Sequence, residues 1–238
     1  MSGGELRVFS NAEAVAREAA QWICVKARAA TGRFAICCSG GSTPKRLYEL
    51  LGQEDIASQF PWERAHWFWG DERFVPHNHP DSNYGMMRKA LLSHVPAPPQ
   101  NVHAVPTEAL TPRQSASDYE QALRDYYGAA TLDPARPLFD VVLLGIGDDG
   151  HTASLFPGQP TLDETQRWVA AVIDARSEAR ITLTYPALDS AHVVVFLAVG
   201  GKKRTAVRRA RSGDRALPSA RVKPIGTLYW FVDRAASP

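Results

Sequence analysis

The chain has 238 residues, of which 45% are hydrophobic and 22% charged, a composition typical of a globular protein with a substantial core. Its 27 basic and 25 acidic residues give a net charge of +2, and this balance argues against a nucleic-acid-binding protein. No apolar run approaches the roughly 18 residues that a membrane span requires, and residues 1–10 lack the pattern of a secretory signal. We therefore expect a cytoplasmic protein with no membrane partner.

Short apolar runs, four of them closed by glycine, alternate with amphipathic segments along the chain. In chain order, the predicted strands cover residues 34–38, 66–69, 139–144, 168–173, 181–183, 192–199 and 228–232, and the predicted helices cover residues 12–30, 44–51, 115–127 and 202–210. Short runs that are apolar on both faces are typical of buried parallel strands. The alternation predicts an α/β fold with a mostly parallel sheet, and with no clear linker or repeat we expect one domain over residues 1–238.

The three cysteines, Cys24, Cys37 and Cys38, have no spacing that suggests a disulfide framework. Cys37 and Cys38 lie inside the predicted strand at residues 34–38. We therefore expect buried free thiols, which points to a reducing compartment.

The turn after the first predicted strand is rich in glycine and hydroxyl groups. In an open parallel sheet, ligands bind beyond the carboxyl ends of the strands. Here Pro44 suits the first position of a helix, Ser42 or Thr43 can cap that helix, and Gly40 and Gly41 let a ligand approach the backbone closely. Free N–H groups at a helix start make an anion site, so the turn predicts either a phosphate site or a capped helix without a ligand.

The second turn places Asp71, Glu72 and Arg73 directly after the buried strand that ends at Gly70. Three charged residues at such a point predict a polar site rather than core. The planar guanidinium of Arg73 suits a phosphate or a carboxylate.

The loop that follows, residues 74–84, contains His77, His79 and Asp81, which are residue types that bind metals. Two prolines constrain this loop, and no matching third or fourth ligand set is evident. We interpret these side chains as solvated loop residues and expect no metal site.

The third turn has the spacing G-x-G-x-x-G over residues 145–150, which can mark a dinucleotide site. Asp148 and Asp149 would point negative charge at a pyrophosphate, however, and Pro157 cuts a following helix short. We interpret the turn as one that presents Asp149 and His151 at the start of a short helix, where the imidazole is disfavoured as a cation and can act as a base near pH 7. The alternative is a loop histidine bonded to backbone.

The fourth turn, residues 200–203, opens the predicted basic helix with Lys202 and Lys203. A lysine at this position can reach a substrate phosphate across the sheet edge. It can equally be a surface lysine, and spacing does not decide between the two.

Taken together, these turns resemble the 6-phosphogluconolactonase family. The stretches that carry the resemblance are residues 39–44, 69–73, 79–84 and 145–158, with weaker support from residues 180–184, 200–203, 217–222 and 229–233. Their order and spacing hold from about residue 8 to residue 235. The ending Thr-Ala-Ser-Leu-Phe-Pro and the arginine after Asp-Glu resemble the lactonases rather than the related glucosamine-6-phosphate deaminases. Asp148 is a departure, because many relatives carry another residue there.

The resemblance implies a Rossmann-like, mostly parallel sheet with helices on both faces, of the type found in those deaminases and in ribose-5-phosphate isomerase. It implies hydrolysis of 6-phospho-D-glucono-1,5-lactone to 6-phospho-D-gluconate, the second step of the oxidative pentose phosphate pathway. The expected ligand is this sugar-phosphate lactone, and no metal or organic cofactor is expected. The sequence does not fix the oligomeric state, and a monomer is the default expectation.

We assign His151 and Asp149 to catalysis as a hypothesis that fits the residues of the third turn. The substrate-binding residues that we predict are Gly41, Ser42, Thr43, Asp71, Glu72, Arg73 and Lys203. In the expected mechanism, His151 takes a proton from water and returns one to the ring oxygen, while Asp149 orients His151 or a sugar hydroxyl. Arg73 and Lys203 bind the phosphate or stabilise the oxyanion, and the sequence does not say which does which.

Two other functions are compatible with the pattern. A deaminase would release ammonia from glucosamine 6-phosphate, and a non-catalytic sugar-phosphate sensor would bind 6-phosphogluconate without turnover. The presence of Asp149 together with His151 argues against the sensor. A nucleophilic mechanism is disfavoured, because the Cys37–Cys38 pair lies in a strand and Ser42 has no histidine or lysine near it in sequence.

Overall fold

The computed structural model describes residues 3–108 and 111–238. Within these residues the strands are β1 (Glu5–Phe9), β2 (Phe34–Cys38), β3 (Ala65–Trp69), β4 (Asp71–Arg73), β5 (Phe139–Gly145), β6 (Val169–Val172), β7 (Arg180–Leu183), β8 (Ala191–Ala198) and β9 (Thr227–Asp233). The helices are α1 (Ala12–Ala29), α2 (Ser42–Leu51), α3 (Glu54–Ala57), α4 (Asn83–Met87), α5 (Pro112–Tyr127), α6 (Tyr185–Asp189) and α7 (Arg204–Arg211).

Six strands form one sheet in the order β1-β9-β8-β5-β2-β3, and every pairing in it is parallel. All five residues of β2 are buried, as are the last six residues of β8. A strand buried at successive positions is covered on both faces, which is why these segments are continuously apolar in the sequence. The prediction of an α/β fold with a mostly parallel sheet is confirmed.

The remaining three strands form a second, antiparallel sheet in the order β4-β7-β6. The strands predicted at residues 168–173 and 181–183 exist, and both belong to this small sheet. The prediction of a turn over residues 70–73 is wrong in part, because residues 71–73 form β4. Its side chains alternate, with Glu72 buried and both neighbours partly exposed, and this period of two is hidden in the sequence by three consecutive charges.

Helix α2 begins at Ser42, two residues earlier than predicted. Gly41 occupies the cap position with φ 103°, in the left-handed region that favours glycine, and no side chain caps the helix. The predictions that Pro44 takes the first helical position and that Ser42 or Thr43 caps the helix are therefore wrong. Because Ser42 and Thr43 lie inside the first turn, the backbone at this helix start is left open.

Three other differences have local causes. Strand β1 lies at the sheet edge with none of its residues fully buried, and α4 and α6 have only five residues each, so none of them has a strong periodic signal. The predicted basic helix at residues 202–210 begins instead with a 3₁₀ turn, Gly201–Lys203, and continues as α7. No helix follows His151, because residues 152–158 form successive turns.

All three cysteines are buried and free, as predicted for Cys37 and Cys38. Burial raises the pKa of both Cys37 and Cys38, the latter to about 12, so these thiols are protonated at neutral pH. Among the described residues, none of the helices combines the length and apolar composition that crossing a membrane requires.

Candidate active site

The candidate site lies where the chain reverses its direction across the sheet. From β2 the chain moves to β3 on one side, whereas β5, β8 and β9 are added successively on the other side. The carboxyl ends of β2 and β5 therefore flank a topological switch point, where α/β sheets bind ligands. The turns that end β2, β3, β5 and β8 are the ones that the sequence singles out.

The turn after β2 is packed tightly against the start of α4. A Cβ built on Gly40 would lie 1.9 Å from Oδ1 of Asn83, so only glycine fits there. Asn83 in turn donates from Nδ2 to the backbone oxygen of Asp71 at 2.8 Å. Residues 41–43 thus form an exposed, uncapped helix start next to the polar groups that follow β3. Such a start is able to accept an anion on its free N–H groups.

Asp71 lies at the centre of a hydrogen-bond network across the switch point. Its Oδ2 accepts a hydrogen bond from Oγ of Ser154 at 2.7 Å, and its Oδ1 is 3.5 Å from Nδ2 of Asn83. The backbone N–H of Ser154 donates to Oγ1 of Thr182 in β7. These bonds tie the turn after β5 to the small antiparallel sheet.

Glu72 is placed differently from its two neighbours, because it is fully buried. Its Oε1 accepts the N–H groups of Arg73 and Asn83 at 2.8 and 2.7 Å, and its Oε2 accepts the N–H of Tyr84 and the hydroxyl of Ser82 at 2.8 and 3.1 Å. Burial raises the pKa of Glu72, and the three N–H groups offset part of that rise. All of these partners belong to the protein, and the carboxylate fixes the start of α4.

Arg73 lies directly opposite Arg180 in the pairing of β4 with β7. Arg73 donates from Nη1 to the backbone oxygen of Asp81 at 2.6 Å, whereas Nη1 of Arg180 is buried without a partner among the described residues. Burial and the charge of Arg73 lower the pKa of Arg180. Two like charges directly across a strand pair are unfavourable, and an anion bound between them would remove the repulsion.

His151 and Asp149 form a bonded pair in the turn after β5. Nδ1 of His151 lies 2.5 Å from Oδ1 of Asp149, and the His151 N–H donates to the same oxygen at 3.1 Å. A carboxylate only accepts hydrogen bonds, so Nδ1 carries the proton and Nε2 is left as the basic nitrogen. Burial raises the pKa of Asp149. The hydrogen bonds from His151 and from Arg176 lower it by more than burial raises it, so the pKa lies below its usual value.

Backbone contacts, rather than a helix, hold this turn. Gly147 N–H donates to the His151 carbonyl at 2.8 Å, and Oγ1 of Thr152 donates to the Gly145 carbonyl at 2.9 Å. A Cβ on Gly147 would lie 2.0 Å from Nδ1 of His151. The prediction that a helix start presents His151 is wrong, so no helix dipole acts on this imidazole, and its orientation depends on the bond to Asp149.

Lys203 lies beside the His151–Asp149 pair and forms an ion pair with Asp148. Its Nζ is 2.7 Å from Oδ1 of Asp148, and both side chains are partly exposed. The turn after β8 thus brings a cation to the turn after β5. The ion pair offsets the charge of Asp148, whereas Asp149 binds His151 and Arg176.

Four residues at this edge were missing from the predicted site: Asn83, Ser154, Arg176 and Arg180. The first two and Arg180 fall inside stretches that carry the family resemblance, so their positions were available as a signal. Nothing in the sequence around Arg176 links it to Asp149, which is 27 residues away.

The histidines of residues 74–84 have protein partners. Nε2 of His77 is 2.9 Å from the Val105 carbonyl, and Nδ1 of His79 accepts the Asp81 N–H at 3.2 Å. Across residues 3–108 and 111–238, no group of three or more histidine, cysteine, aspartate or glutamate side chains is arranged to hold a metal ion.

The chain is similar to known proteins over most of its length. Residues 10–230 match the family model described as glucosamine-6-phosphate isomerases/6-phosphogluconolactonase. A 6-phosphogluconolactonase of Nostoc sp. is 46% identical over 208 residues, which cover 86% of this chain and 84% of the relative.

Solved structures give the same result. The structure of a 6-phosphogluconolactonase from Thermotoga maritima has a TM-score of 0.82 at 28% identity and covers 97% of this chain and 99% of its own. The fold is shared with a monomeric glucosamine-6-phosphate deaminase, which has a TM-score of 0.80 at 19% identity and covers 98% of each chain. The chain therefore belongs to the family of glucosamine-6-phosphate isomerases and 6-phosphogluconolactonases.

Proposed function

We propose that this chain hydrolyses 6-phospho-D-glucono-1,5-lactone to 6-phospho-D-gluconate, the second step of the oxidative pentose phosphate pathway. The observation that carries the proposal is the bonded pair of His151 and Asp149 at the switch point, beside a cluster of cations. The names of the Nostoc and Thermotoga relatives support the same activity.

In the proposed mechanism, Nε2 of His151 removes a proton from a water whose oxygen attacks the lactone carbonyl carbon. Asp149 holds the imidazole in the required tautomer and offsets the positive charge that develops on it. The bond between the carbonyl carbon and the ring oxygen then breaks, and the imidazolium returns the proton to that oxygen. The products are a hydroxyl and a carboxylic acid, which ionises at neutral pH. Acid–base catalysis of this kind contributes about 10²–10⁴-fold in rate.

The phosphate and the oxyanion require cations, and Arg73, Arg180 and Lys203 are the candidates at this edge. Arg73 and Arg180 face one another across β4 and β7, and Lys203 lies next to the turn of Asp149. We propose that the two arginines bind the phosphate, because their mutual repulsion falls when an anion binds between them. The uncapped start of α2 at residues 41–43 supplies further N–H donors for an anion.

We propose different roles for the two carboxylates that follow Gly70. Asp71 has polar contacts across the switch point and remains a candidate for binding sugar hydroxyls. Glu72 is fully buried, and its carboxylate already accepts four hydrogen bonds from protein groups. It therefore positions the loop and α4 rather than touching the substrate.

The setting of the enzyme is also a proposal. Free buried thiols suit a reducing compartment such as the cytoplasm, and we propose that the chain acts there as a monomer on a small molecule, without nucleic acid or membrane. Light scattering coupled to size-exclusion chromatography measures the oligomeric state, and a mass of twice 26.1 kDa would contradict the monomer.

The test of the function is an assay of the purified protein. Glucose 6-phosphate and its dehydrogenase generate the lactone in place, a second dehydrogenase reports 6-phosphogluconate, and the spontaneous rate is subtracted. We expect acceleration by the wild type that the His151→Ala variant largely loses, with KM changed far less than kcat. Acceleration by both proteins would keep the function and remove the role of His151.

The same preparation separates the alternative functions. Ammonia release from glucosamine 6-phosphate would identify a deaminase. Binding of 6-phosphogluconate without any acceleration of hydrolysis would identify a sensor. Glucono-1,5-lactone without the phosphate is the control for the cations, since we expect a higher KM for it than for the phosphorylated lactone.

A further inference from the structure

The loop between β6 and β7, residues 173–179, reaches over the turn that carries the catalytic pair. Arg176 at its centre donates from Nη2 to Oδ2 of Asp149 at 3.1 Å, so Asp149 binds His151 with one oxygen and Arg176 with the other. The Asp174 backbone has φ 67°, an uncommon conformation for a residue with a side chain, which bends the loop two residues before Arg176.

Arg176 also makes a cation–π contact with Phe156, whose ring in turn contacts His151. Its guanidinium carbon lies 4.4 Å from the centroid of the Phe156 ring, and that ring lies 4.9 Å from the ring of His151. Asp149, His151, Phe156 and Arg176 thus form a closed set of contacts. The side chains of Asp149 and Arg176 are each 44% exposed, so the ion pair is at the surface of the site and not sealed in the core.

We propose that Arg176 is a positioning residue for the His151–Asp149 pair, acting through the free oxygen of Asp149 and through Phe156. A carboxylate held at both oxygens cannot rotate away from the imidazole, and a ring packed on one face limits rotation of the imidazole itself. The kinetic part of this inference rests on the proposed lactone hydrolysis, whereas the geometry does not.

The charges around Asp149 define how the pair responds to pH. His151 faces it from the same turn, Arg176 faces it from the β6–β7 loop, and the ion pair of Asp148 with Lys203 lies beside it. On the far side of the loop, Glu178 lies 3.5 Å from Arg180. Arg176 is one of the groups that lower the pKa of Asp149, so its removal makes the pair bind protons more readily.

Two substitutions separate the charge of Arg176 from its packing. Arg176→Met keeps a flexible side chain against Phe156 and loses the charge, whereas Arg176→Lys keeps the charge. Arg17→Met, on the exposed face of α1 and away from the site, is the matched control. For a half-exposed ion pair we expect Arg176→Met to lower kcat about two- to fivefold with little change in KM. The acid limb of its pH profile should move up by about 0.3–0.7 pH unit. Arg176→Lys should restore most of both.

A second readout does not depend on turnover. In the ligand-free protein, a carbon NMR titration of the Asp149 carboxyl should show a higher pKa in Arg176→Met than in the wild type or Arg176→Lys. The wild type could hydrolyse the lactone while Arg176→Met shows no change in the Asp149 titration or in kcat. That result would overturn the inference and leave the proposed function intact. A raised KM with unchanged kcat would also overturn it, since Arg176 would then bind substrate. No hydrolysis by the wild type together with the expected titration shift would overturn the function and keep the positioning role.

Discussion

At the carboxyl edge of the parallel sheet His151 is bonded to a carboxylate, whereas near the amino end of β3 His66 is bonded to a second histidine. Nδ1 of His66 lies 3.1 Å from Nε2 of His103, and the His103 ring stacks on Phe68 with centroids 4.4 Å apart. Burial, together with the charges of His66 and Arg33, lowers the pKa of His103 to about 4. The His151–Asp149 pair and the His66–His103 pair, at opposite edges of one sheet, therefore differ in chemistry.

The chemistry of His151 and His103 differs because their neighbouring side chains differ. A carboxylate on one nitrogen leaves the other nitrogen basic and supports the cation that forms on proton uptake. A second imidazole and a stack of aromatic rings give no such support, and burial opposes the charge. The proposed base, His151, lies where a turn at the carboxyl end of β5 brings it a carboxylate and leaves its side chain partly exposed.

The largest expected effect tests the carboxylates of the two edges. Asp149→Asn keeps the shape but removes the charge that supports the imidazolium, so we expect kcat for lactone hydrolysis to fall by about 10²-fold. Asp140→Asn is the control, because Asp140 accepts the Ala35 N–H at the amino edge and lies outside the proposed site. Steady-state kinetics of both variants measure the contrast. An equal loss in both would remove the distinction between the edges.

The next effect concerns stability. In the wild type, four donors share the two carboxylate oxygens of Glu72. Glu72→Gln replaces one of these oxygens with an amide nitrogen, which cannot accept a hydrogen bond, so at least one buried donor loses its partner. We expect the free energy of unfolding to fall by about 2 kcal/mol. Asp140→Asn should cost about 1 kcal/mol or less, since that carboxylate accepts one backbone N–H. Urea unfolding of the two variants measures both values, and a smaller loss for Glu72→Gln than for Asp140→Asn would contradict the anchoring role.

A smaller effect is expected from adding one methyl group beside the proposed catalytic pair, His151 and Asp149. The Cβ of Gly147→Ala would lie 2.0 Å from Nδ1 of His151, so the ring must move, and a misplacement of this size should lower kcat about tenfold. Gly145→Ala is the matched control, because no atom lies within 4 Å of its added Cβ. Kinetics together with a circular dichroism spectrum distinguish a moved ring from a lost fold. Full activity in Gly147→Ala would mean that the pair tolerates displacement.

The last effect is a pH dependence of stability at the other edge. The pKa of His103 is about 4 in the folded protein and near 6.5 when unfolded, so the unfolded state binds more protons between these values. This part of the stability is present above about pH 6.5 and is lost as the pH falls towards 4. Glutamine does not titrate, so in His103→Gln the free energy of unfolding should change less with pH between about 4 and 6.5 than it does in the wild type. Parallel curves for the two proteins would show that His103 does not titrate as expected.

Much of the fold was predictable because the buried strands are continuous apolar runs closed by glycine. The strands at residues 34–38, 139–144 and 192–199 were recognised because a strand covered on both faces has to be apolar at successive positions. Strand β4 was missed because its three charged residues carry no hydrophobic signal, although its hydrogen bonds to β7 are regular. Local patterns show burial, but they do not show which sheet a short segment joins.

Some residues of the candidate site could also be inferred from local sequence, whereas others could not. Asp149 and His151 are two residues apart, so the turn that joins them and their bond could be inferred locally. Arg176 and Arg180 come from a segment about 30 residues further along, and only the antiparallel pairing of β7 with β4 brings Arg180 opposite Arg73. The burial of Glu72 was equally invisible, because a charged side chain gives no sign that four donors will surround it.

The sequence by itself determined the class of fold, the family and the turns in which the chemistry lies, since all three depend on residue types at fixed spacings. The tertiary structure decided what each side chain in those turns does. It paired Lys203 with Asp148, enclosed Glu72 and gave Asp149 a second cation in Arg176. The physical reason is that hydrogen bonds and ion pairs act over about 3 Å, and distances of that size between remote segments exist only once the strands are in register.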